Sequence, residues 1–390
     1  MVTVALGAVL VCGSISHARS LADVLESPQF AALGLGPLGA ALADTVAGTY
    51  PVASASSSVT YIYDPALESF ERASEVAGPI IGERAETIGK GQFNFGFSYS
   101  YVELTQINGD DLDDLVNQPV VDGQVISFPV PGGVTLKDGR STTFLPVRVG
   151  LDLGVDAHIF TPSATYGVLP NWDVSMAIPL VYTSLDVTTE SLAPDPRLPQ
   201  FMLPANVPST SRRLSDSEST FGIGDILLRT KYVAWRGKPA DVAAMVGLSI
   251  PTGDEDDFHG TGDTRVRPML IVSRVFASRF EPLLNVGLDF VVDDVDRSAF
   301  QWAVGGMVQI VDPLTAAIVF LGRNEFARQA DAIETPFFFQ IERNDIYDAS
   351  VGLRYQFAEA GTVSLNAIVP MNDDGLRPDV VPTFQIEYAF

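Results

Sequence analysis

Hydrophobic and polar residues alternate strictly over the last residues of the chain. The apolar positions are Phe384, Ile386, Tyr388 and Phe390, and the residues between them are polar or small. Side chains of a β-strand point alternately to opposite faces, so this segment is predicted to be a strand with one apolar face. An aromatic residue at the last position of that face favours a strand whose free edge pairs with another strand, as in a closed barrel. We therefore predict that this segment closes a β-barrel whose apolar face contacts lipid.

Two earlier segments show the same alternation more strongly. Five aromatic residues between Phe93 and Tyr101 alternate with polar or small residues. In the second segment, Val147 to Ile159, the residues between the aliphatic ones include four ionisable side chains: Arg148, Asp152, Asp156 and His158. An uncovered row of aromatic residues is unfavourable in water, and charges opposite an aliphatic face indicate a wet interior. We expect the aliphatic residues, including Leu151 and Leu153, to face lipid and the four ionisable residues to face the lumen.

The alternation recurs along the rest of the chain and gives twelve predicted strands in all. The nine not yet named are Trp172–Leu180, Ile226–Tyr232, Ala244–Ile250, Val266–Val275, Leu284–Phe290, Phe300–Ile310, Thr315–Glu325, Tyr347–Tyr355 and Val363–Val369. Long connections alternate with short ones between these strands. An even number of antiparallel strands with long outer loops and short periplasmic turns is typical of bacterial outer-membrane barrels. The predicted fold is therefore all-β, a transmembrane antiparallel barrel of twelve strands over residues 91–390.

Further ionisable residues occupy inward positions of the later predicted strands. They are Asp225, Arg229, Lys231, Arg323, Glu325 and Arg354. Together with the four ionisable residues of the second strand, they form the candidate lumen and selectivity residues. Mixed charges at these positions fit two roles, since they can select a solute or pair with one another to fill a narrow lumen.

The first 90 residues lack this alternation. Residues 1–18 are predicted to be a cleaved secretion signal, because an apolar run from Val2 to Val11 is followed by small residues up to Ala18. Residues 19–90 contain Ala- and Gly-rich stretches interrupted by proline, so helices there should be short or broken. We expect this segment to lie either in the periplasm or in the barrel mouth as a plug.

Composition narrows the classes of function. Asp and Glu outnumber Lys and Arg by 48 to 24, a net charge of -24, which argues against nucleic acid as a partner because phosphate binding needs clustered basic residues. The sequence has no apolar run of the roughly 18 residues that a transmembrane helix needs. Cys12, the only cysteine, lies in the predicted signal, so no disulfide is expected in the mature chain. No cofactor is expected.

Acidic residues are concentrated in the predicted outer loops. Clusters occur at Asp110–Asp114, Asp254–Asp257, Asp293–Asp296 and Asp373–Asp374. Carboxylate oxygens bind hard divalent cations, but the spacing matches no calcium-binding loop. The simpler interpretation is a set of solvated loops, and no metal site is assigned.

The positions of the histidines give little indication of a catalytic site. His158 is predicted to face the lumen, whereas a barrel lipase needs its histidine beside a serine on the lipid-facing wall. His259 lies close to Asp256 and Asp257 in a Gly-rich loop, so a hydrolase site at the outer rim is an alternative. We do not expect an enzyme.

Several short motifs resemble a known family. The run from Gly222 to Ile226 (Gly-Ile-Gly-Asp-Ile) opens one predicted strand, Ile250 to Gly253 (Ile-Pro-Thr-Gly) closes the next, and Gly262 and Pro268 follow. With the run from Gly78 to Gly91, these motifs are similar to those of the transporter family named for the meta-pathway of phenol degradation. The resemblance covers roughly residues 55 to 390. It implies an outer-membrane barrel that admits small hydrophobic or aromatic compounds, more distantly like the long-chain fatty-acid channels with their N-terminal hatch.

These observations combine into one functional hypothesis: a passive outer-membrane channel for small, hydrophobic or aromatic solutes. Its expected partners are outer-membrane lipid, the solute, and the outer-membrane assembly machinery, which recognises aromatic C-terminal strands. One alternative is a structural or adhesive barrel that uses its acidic loops. The second alternative is the hydrolase at the outer rim.

Overall fold

Twelve antiparallel strands form a closed barrel in the computed structural model, which confirms the predicted fold class. In chain order they are β1 (Phe93–Ile107), β2 (Arg148–Leu169), β3 (Trp172–Ala177 and Leu180–Ala193), β4 (Thr210–Ile223 and Ile226–Trp235), β5 (Asp241–Ile250), β6 (Arg265–Ser273), β7 (Phe280–Val291), β8 (Ala299–Val311), β9 (Leu314–Glu325), β10 (Ile346–Gln356), β11 (Gly361–Pro370) and β12 (Leu376–Pro378 and Val381–Ala389). Each strand pairs with its neighbours in sequence, and β12 pairs with β1.

The structure describes residues 19–28, 30, 35–49, 61–64, 69–72, 81–117, 119–121, 124–125, 127–277, 279–326, 345–357 and 360–390. The predicted signal at residues 1–18 lies outside the described residues. In these described ranges, no helix is both long and apolar enough to cross a membrane.

The closing contact joins the two ends of the barrel sequence. Thr383 pairs with Ser100 and Ala389 pairs with Asn94. The N–H of Phe390 donates to the carbonyl of Phe93 at 2.7 Å, and the N–H of Phe93 donates back at 3.1 Å. The aromatic side chain of Phe390 is 67% exposed on the outer surface. Because this pairing leaves no open sheet edge, the barrel meets the requirement that every backbone group in hydrocarbon be hydrogen-bonded.

The two surfaces of the barrel differ sharply in polarity. Outward side chains such as Phe95, Leu284 and Leu365 are apolar and exposed, whereas inward ones such as Arg354 and Glu387 are polar and buried. An apolar outer belt around a polar interior is the arrangement of a transmembrane barrel. The chain is therefore a bacterial outer-membrane protein, as the sequence predicted.

Strands β1 to β4 extend well beyond the outer side of the membrane. β2 has 22 residues, about twice the roughly 9–11 that cross a bilayer. The second segment of β3 (Leu180–Ala193) and the first segment of β4 (Thr210–Ile223) lie at the outer end and continue past the predicted strand ends. Because water covers the outer face of these extensions, that face carries Ser, Thr and charged residues and lacks the apolar row by which the membrane-spanning parts were recognised.

The predicted faces of β2 are reversed in the structure. Leu151 and Leu153 are 1% and 0% exposed and point inwards, whereas Arg148 and Asp152 are exposed on the outer face. The expectation that the aliphatic residues face lipid was wrong. In the outer half of β2, the lumen is filled by apolar side chains of the N-terminal segment, including Leu25, so the aliphatic face is the inner one.

The N-terminal segment contacts both ends of the barrel. Its helices are α1 (Leu21–Leu25), α2 (Gly36–Ala43) and a π-helical stretch (Asp44–Thr49), all near the outer end. Ser20 caps α1, since its hydroxyl accepts from the N–H of Asp23. Residues 81–91 run inside the periplasmic end and lead into β1, where the N–H of Gly91 donates to the carbonyl of Gly167.

The remaining elements are short. A hairpin pairs Tyr61–Asp64 with Ser69–Arg72. The first outer loop contains Asp110–Asp111, Leu115–Val116, Val120–Val121, Gln124–Val125, Ser127–Thr135 and Ser141–Pro146 as strands, and 3₁₀ turns lie at Leu112–Asp114, Pro199–Phe201 and Val295–Arg297. The acidic residues of the outer loops, such as Asp110 and Asp373, are exposed to solvent.

The reversed faces of β2 predict different costs for adjacent substitutions. Leu153→Ala should lower the free energy of unfolding by about 2–5 kcal/mol, because it leaves a cavity against the N-terminal segment. Asp152→Ala, one position away on the exposed face, should cost less than about 0.5 kcal/mol. Denaturant titrations of the refolded barrel measure both values. A negligible cost for Leu153→Ala would contradict the inward placement.

Candidate functional site

Six of the ten candidate lumen residues face the barrel interior. They are Arg229 and Lys231 on β4, Arg323 and Glu325 on β9, Arg354 on β10, and Asp225 at the break in β4. The four candidates on β2 lie on the outer face instead: Arg148, Asp152, Asp156 and His158. Their assignment to the lumen was wrong, because the inner face of this part of β2 is aliphatic.

His158 belongs to an aromatic cluster on the outer surface. Its Nδ1 lies 2.9 Å from the hydroxyl of Tyr99, and its ring centre lies 5.0 Å from that of Tyr101 and 5.8 Å from that of Tyr182. The Tyr101 hydroxyl also donates to Asp156 at 2.6 Å. Such aromatic clusters mark the membrane interface of outer-membrane barrels. Among the described residues, the hydrogen bond of His158 is therefore to a tyrosine and not to a catalytic serine.

An ionic network joins the N-terminal segment to the periplasmic half of the lumen. The Glu83 carboxylate lies 3.5 Å from Arg229 and 3.7 Å from Lys231. Lys231 also donates to the carbonyl of Arg84 at 3.2 Å, and the Arg84 guanidinium lies 3.5 Å from Glu281. These groups are almost fully buried. Buried charges need such partners, because an unpaired charge in this environment is strongly destabilising.

Backbone hydrogen bonds hold the same segment in place. The N–H of Glu83 donates to Asn285 Oδ1 at 2.8 Å, and Asn285 Nδ2 donates back to the Glu83 carbonyl at 2.8 Å. The N–H of Ala85 donates to the Ser273 hydroxyl, and that of Ile88 donates to the Asp173 carboxylate, both at 2.9 Å. Residues 81–91 are thus hydrogen-bonded to the barrel wall like an additional, irregular strand.

A second ionic network lies nearer the outer end. Asp289 accepts from Arg267 at 2.9 Å and from Arg265 at 3.2 Å. Arg265 also contacts Asp44 of the π-helical stretch, which lies 3.5 Å from Arg297. Burial alone would raise the pKa of the Asp44 carboxyl, but the positive charges of Arg265, Arg323 and Arg297 outweigh it and lower the pKa. Asp44 is therefore charged at neutral pH and ties the N-terminal segment to the wall.

Most residues of these networks were not among the sequence candidates. Arg267 and Asp289 occupy inward positions of predicted strands and Arg265 directly precedes one, so extending the same alternation rule by one residue would have found all three. No comparable signal marks Asp44, Glu83 or Arg84, because they lie outside the alternating pattern. Only the tertiary structure brings them to the barrel wall.

An internal cavity of about 160 Å³ lies between the two networks. Its apolar lining includes Ile81, Leu227, Met245, Met269, Leu321 and Ile346. Three guanidinium groups also reach it: Arg229, Arg267 and Arg323. The cavity therefore offers an apolar wall with a few fixed polar groups, which is the usual composition of a small-molecule site.

Two of the inward candidates fill structural roles. Arg354 donates to the Ser364 hydroxyl at 2.7 Å and lies 3.7 Å from Glu387, so it fills the wall between β10 and β12. Asp225 accepts hydrogen bonds from the N–H of Gly253 at 3.1 Å and from the N–H of Thr261 at 2.9 Å. Asp225 thus fixes the loop at residues 251–264 to the break in β4.

That loop holds the N-terminal helix at the outer mouth. The N–H of Ala22 donates to the Asp256 carbonyl at 2.8 Å, and the N–H of Leu21 donates to the Asp257 carboxylate at 3.2 Å. Phe258, which is completely buried, packs in the same core as α1 and α2. The loop is thus a clamp that holds α1 and α2 at the outer mouth.

His259 is buried in this loop and does not form a catalytic pair. Its Nε2 lies 3.2 Å from the Thr220 hydroxyl, and the residue is 2% exposed. Burial lowers the pKa of His259, although the nearby carboxylate of Asp257 opposes the effect. Among the described residues, the hydrolase alternative therefore lacks an accessible Asp–His pair. No group of three or more His, Cys, Asp or Glu in the described part of the chain is arranged to hold a metal ion.

The lowered pKa of His259 predicts that the outer clamp weakens in mild acid. The folded state favours the neutral ring of His259. The contribution of this ring to the stability of the clamp is therefore complete above the unfolded pKa of histidine, near 6.5, and it decreases as the pH falls from there towards the lower pKa of the folded state. The protection factors for hydrogen exchange at residues 20–25 and 253–262, which compare each observed rate with the intrinsic rate at the same pH, should fall between pH 7.5 and pH 5.5. His259→Asn should flatten this dependence, whereas His158→Asn, the control, should retain it. An unchanged pH dependence in His259→Asn would assign the effect to other groups.

Comparisons with known proteins give one family and several similar structures. The family described as "Putative MetA-pathway of phenol degradation" matches residues 135–367, more than half of the chain. A search of curated proteins found no match.

Solved structures similar to this chain at low sequence identity include the following three. An outer membrane channel from Pseudomonas putida F1 is 11% identical, with a TM-score of 0.44, over 78% of this chain and 98% of that one. A FadL homologue from Pseudomonas aeruginosa is 12% identical, with a TM-score of 0.36, over 77% and 90% of the two chains. The toluene transporter TbuX of Ralstonia pickettii is 11% identical, with a TM-score of 0.35, over 89% and 96%.

Proposed function

The chain belongs to the family described as the MetA-pathway of phenol degradation, and from this membership we propose that it is an outer-membrane channel for small hydrophobic or aromatic solutes, which cross by passive diffusion. The toluene transporter among the similar structures is consistent with this class of solute. The proposal depends on the interior of the barrel, because only the lumen offers a path through the wall of lipid-facing strands.

The observation that carries the proposal is the size and lining of the internal cavity. An apolar cavity of roughly 150 Å³ holds one benzene molecule, and the cavity in this lumen has about 160 Å³. Met245, Met269 and Leu321 supply apolar surface at its wall, and methionine adapts its shape to different rings. The arginines at its edge are already engaged with Glu83, Asp289 and Glu325. These features favour a single-ring, largely apolar solute.

We also propose that residues 19–90 act as a plug. Their described parts contact the outer clamp through α1 and the periplasmic half of the lumen through residues 81–91. A solute therefore meets the N-terminal segment at both ends of its path. Passage would require these contacts to open transiently, and the ion pairs at Asp44 and Glu83 set the cost of that opening.

Filling the cavity should reduce flux. Met245→Trp places a large side chain in the lumen. If it raises the barrier by about 1.4 kcal/mol, the protein-dependent entry of toluene or phenol should slow about tenfold, measured as the excess over protein-free vesicles whose outer leaflet is lipopolysaccharide. Ala244→Trp, at the adjacent outward position, is the control and should leave flux unchanged. Rates are followed with a solute-sensitive dye or enzyme trapped inside the vesicles. Absence of flux both for the full chain and for a chain without residues 19–80 would reject the channel and favour a structural surface barrel.

The closing strand should matter for assembly more than for transport. Deleting Phe390 removes two backbone hydrogen bonds to Phe93 and should reduce folded barrel both in cells and in refolding assays. Phe390→Ala retains those bonds, so we expect it to refold in vitro but to accumulate poorly in outer membranes if the assembly machinery recognises the aromatic ring. Heat-modifiable migration measures folded barrel in both cases. Normal surface accumulation of both variants would contradict this role.

A further inference from the structure

A groove of about 470 Å³ lies on the lipid-facing wall, on the opposite side of the strand that carries Arg229 into the lumen cavity, and Arg229 lines both. It crosses β1 to β5 and is lined mainly by Phe93, Tyr166, Met176, Leu228, Val246 and Leu248. Two rows of paired residues run through it: Phe93–Tyr166–Val174–Thr230–Val246, and Phe95–Ala164–Met176–Leu228–Leu248. Ala164 and Thr230 are small residues between larger neighbours, which produces the depression.

The groove lies at the depth of acyl chains in the periplasmic leaflet. Its first row is two residues from Trp172 on β3 and from Tyr232 on β4, a distance of about 7 Å along a strand. Both aromatic residues are exposed on the outer surface, as is Trp235 at the end of β4. Exposed Trp and Tyr mark the level of the lipid headgroups, so the groove starts just inside the hydrocarbon on the periplasmic side.

Basic residues border this part of the periplasmic rim. Five basic residues on the periplasmic side form the basic rim. They are Lys90 before β1, Arg236 and Lys238 between β4 and β5, and Arg274 and Arg279 between β6 and β7. Arg236 donates to the carbonyl of Pro170 at 2.9 Å, which places its guanidinium beside the turn between β2 and β3. Arg274 contacts the carbonyl of Gly237 and so joins the two other turns.

Acidic residues are few at the same rim. On the described periplasmic turns, at the adjacent start of β5 and in residues 84–91 before β1, they are Asp241, Asp312 and Glu86. Asp241 lies 4.0 Å from Arg274, and Glu86 is paired with Arg84. The outer loops show the opposite charge, with their clusters of exposed Asp. In a chain of net charge -24, this concentration of basic residues at one end of an apolar groove is a specific local feature.

We propose that the groove and the basic rim together bind one anionic phospholipid of the periplasmic leaflet. An acyl chain lies in the groove, against the two rows of β1–β5, and the negatively charged headgroup contacts Arg236 and Lys238 while Trp235 packs at the glycerol level. Basic residues next to a membrane surface attract anionic headgroups in this way. The site is independent of solute transport, and it would hold the wall of β1–β5 against a defined lipid.

Charge complementarity selects this occupant over a transported solute. A toluene-like compound would use the apolar groove but would gain nothing from Arg236 or Lys238. A phosphatidylethanolamine would fit the groove but carries no net charge. Preference for phosphatidylglycerol over phosphatidylethanolamine with the same acyl chains is therefore the property that distinguishes the proposal.

The test is a lipid titration of the purified full-length barrel in detergent, followed by native mass spectrometry. The wild type should bind phosphatidylglycerol more tightly than phosphatidylethanolamine. Each basic residue at a membrane surface contributes roughly fivefold, so Arg236→Gln with Lys238→Gln should weaken phosphatidylglycerol binding about 30-fold. The matched control, Lys137→Gln with Arg213→Gln, removes two exposed charges at the outer end and should leave binding unchanged. Equal affinity for the two lipids in the wild type would overturn the proposal.

The groove itself is tested by Ala164→Phe, which fills it from the lipid side. This variant should lose phosphatidylglycerol binding, whereas Ala316→Phe, an outward position on β9, should retain it. As a second readout, phosphatidylglycerol brominated on its acyl chains should quench Trp172 and Trp235 more than Trp302, which lies on β8 near the outer end. Uniform quenching, or a groove that binds toluene but not phosphatidylglycerol, would overturn the proposal and favour a solute exit.

Discussion

The requirement to satisfy every backbone hydrogen bond inside hydrocarbon determines the architecture of this protein. No water is present in the bilayer core to bond an open strand edge, so β12 has to pair with β1, and the Phe390 backbone completes the pairing with Phe93. Once the barrel is closed, the alternation along each strand divides its side chains into a lipid-facing and a lumen-facing set. The apolar belt and the polar interior follow from that closure, and the even number of strands brings both ends of the barrel sequence to the same side of the membrane.

The polar interior then creates a second constraint, because charges removed from water need partners. The wall supplies Arg229, Lys231, Arg265 and Glu281, and the N-terminal segment supplies Glu83, Arg84 and Asp44 as their partners. The segment is thus part of the charge balance of the barrel and not an appendage to it. In the proposed channel, opening of the path would break these ion pairs, and the apolar cavity described above lies between them.

The glycine-containing motifs around β4 can be explained by close packing between the strand and the loop at residues 251–264. A Cβ on Gly222 would lie 2.4 Å from the ring of His259, and one on Gly260 would lie 2.5 Å from the Asp225 carboxylate. Both glycines allow the loop at residues 251–264 to pack directly on the break in β4, where Asp225 accepts two of its backbone N–H groups. The same loop clamps α1. The resemblance noted in the sequence therefore coincides with the contact that positions α1 and α2 at the outer mouth.

The sequence by itself determined the fold class, the number of strands and the sets of residues that share a face, because the two-residue period is a local property of the pleated backbone. The sequence did not determine which face of β2 points into the lumen. Leu153 and Asp152 alternate just as lipid-facing and lumen-facing residues do, and only the apolar helices inside the outer mouth make Leu153 the inward residue. The lengths of β3 and β4 above the membrane were missed because water on that side imposes no apolar row. The partners of the lumen charges were decided by tertiary structure alone, since Glu83 and Arg229 are 146 residues apart and no local pattern relates them.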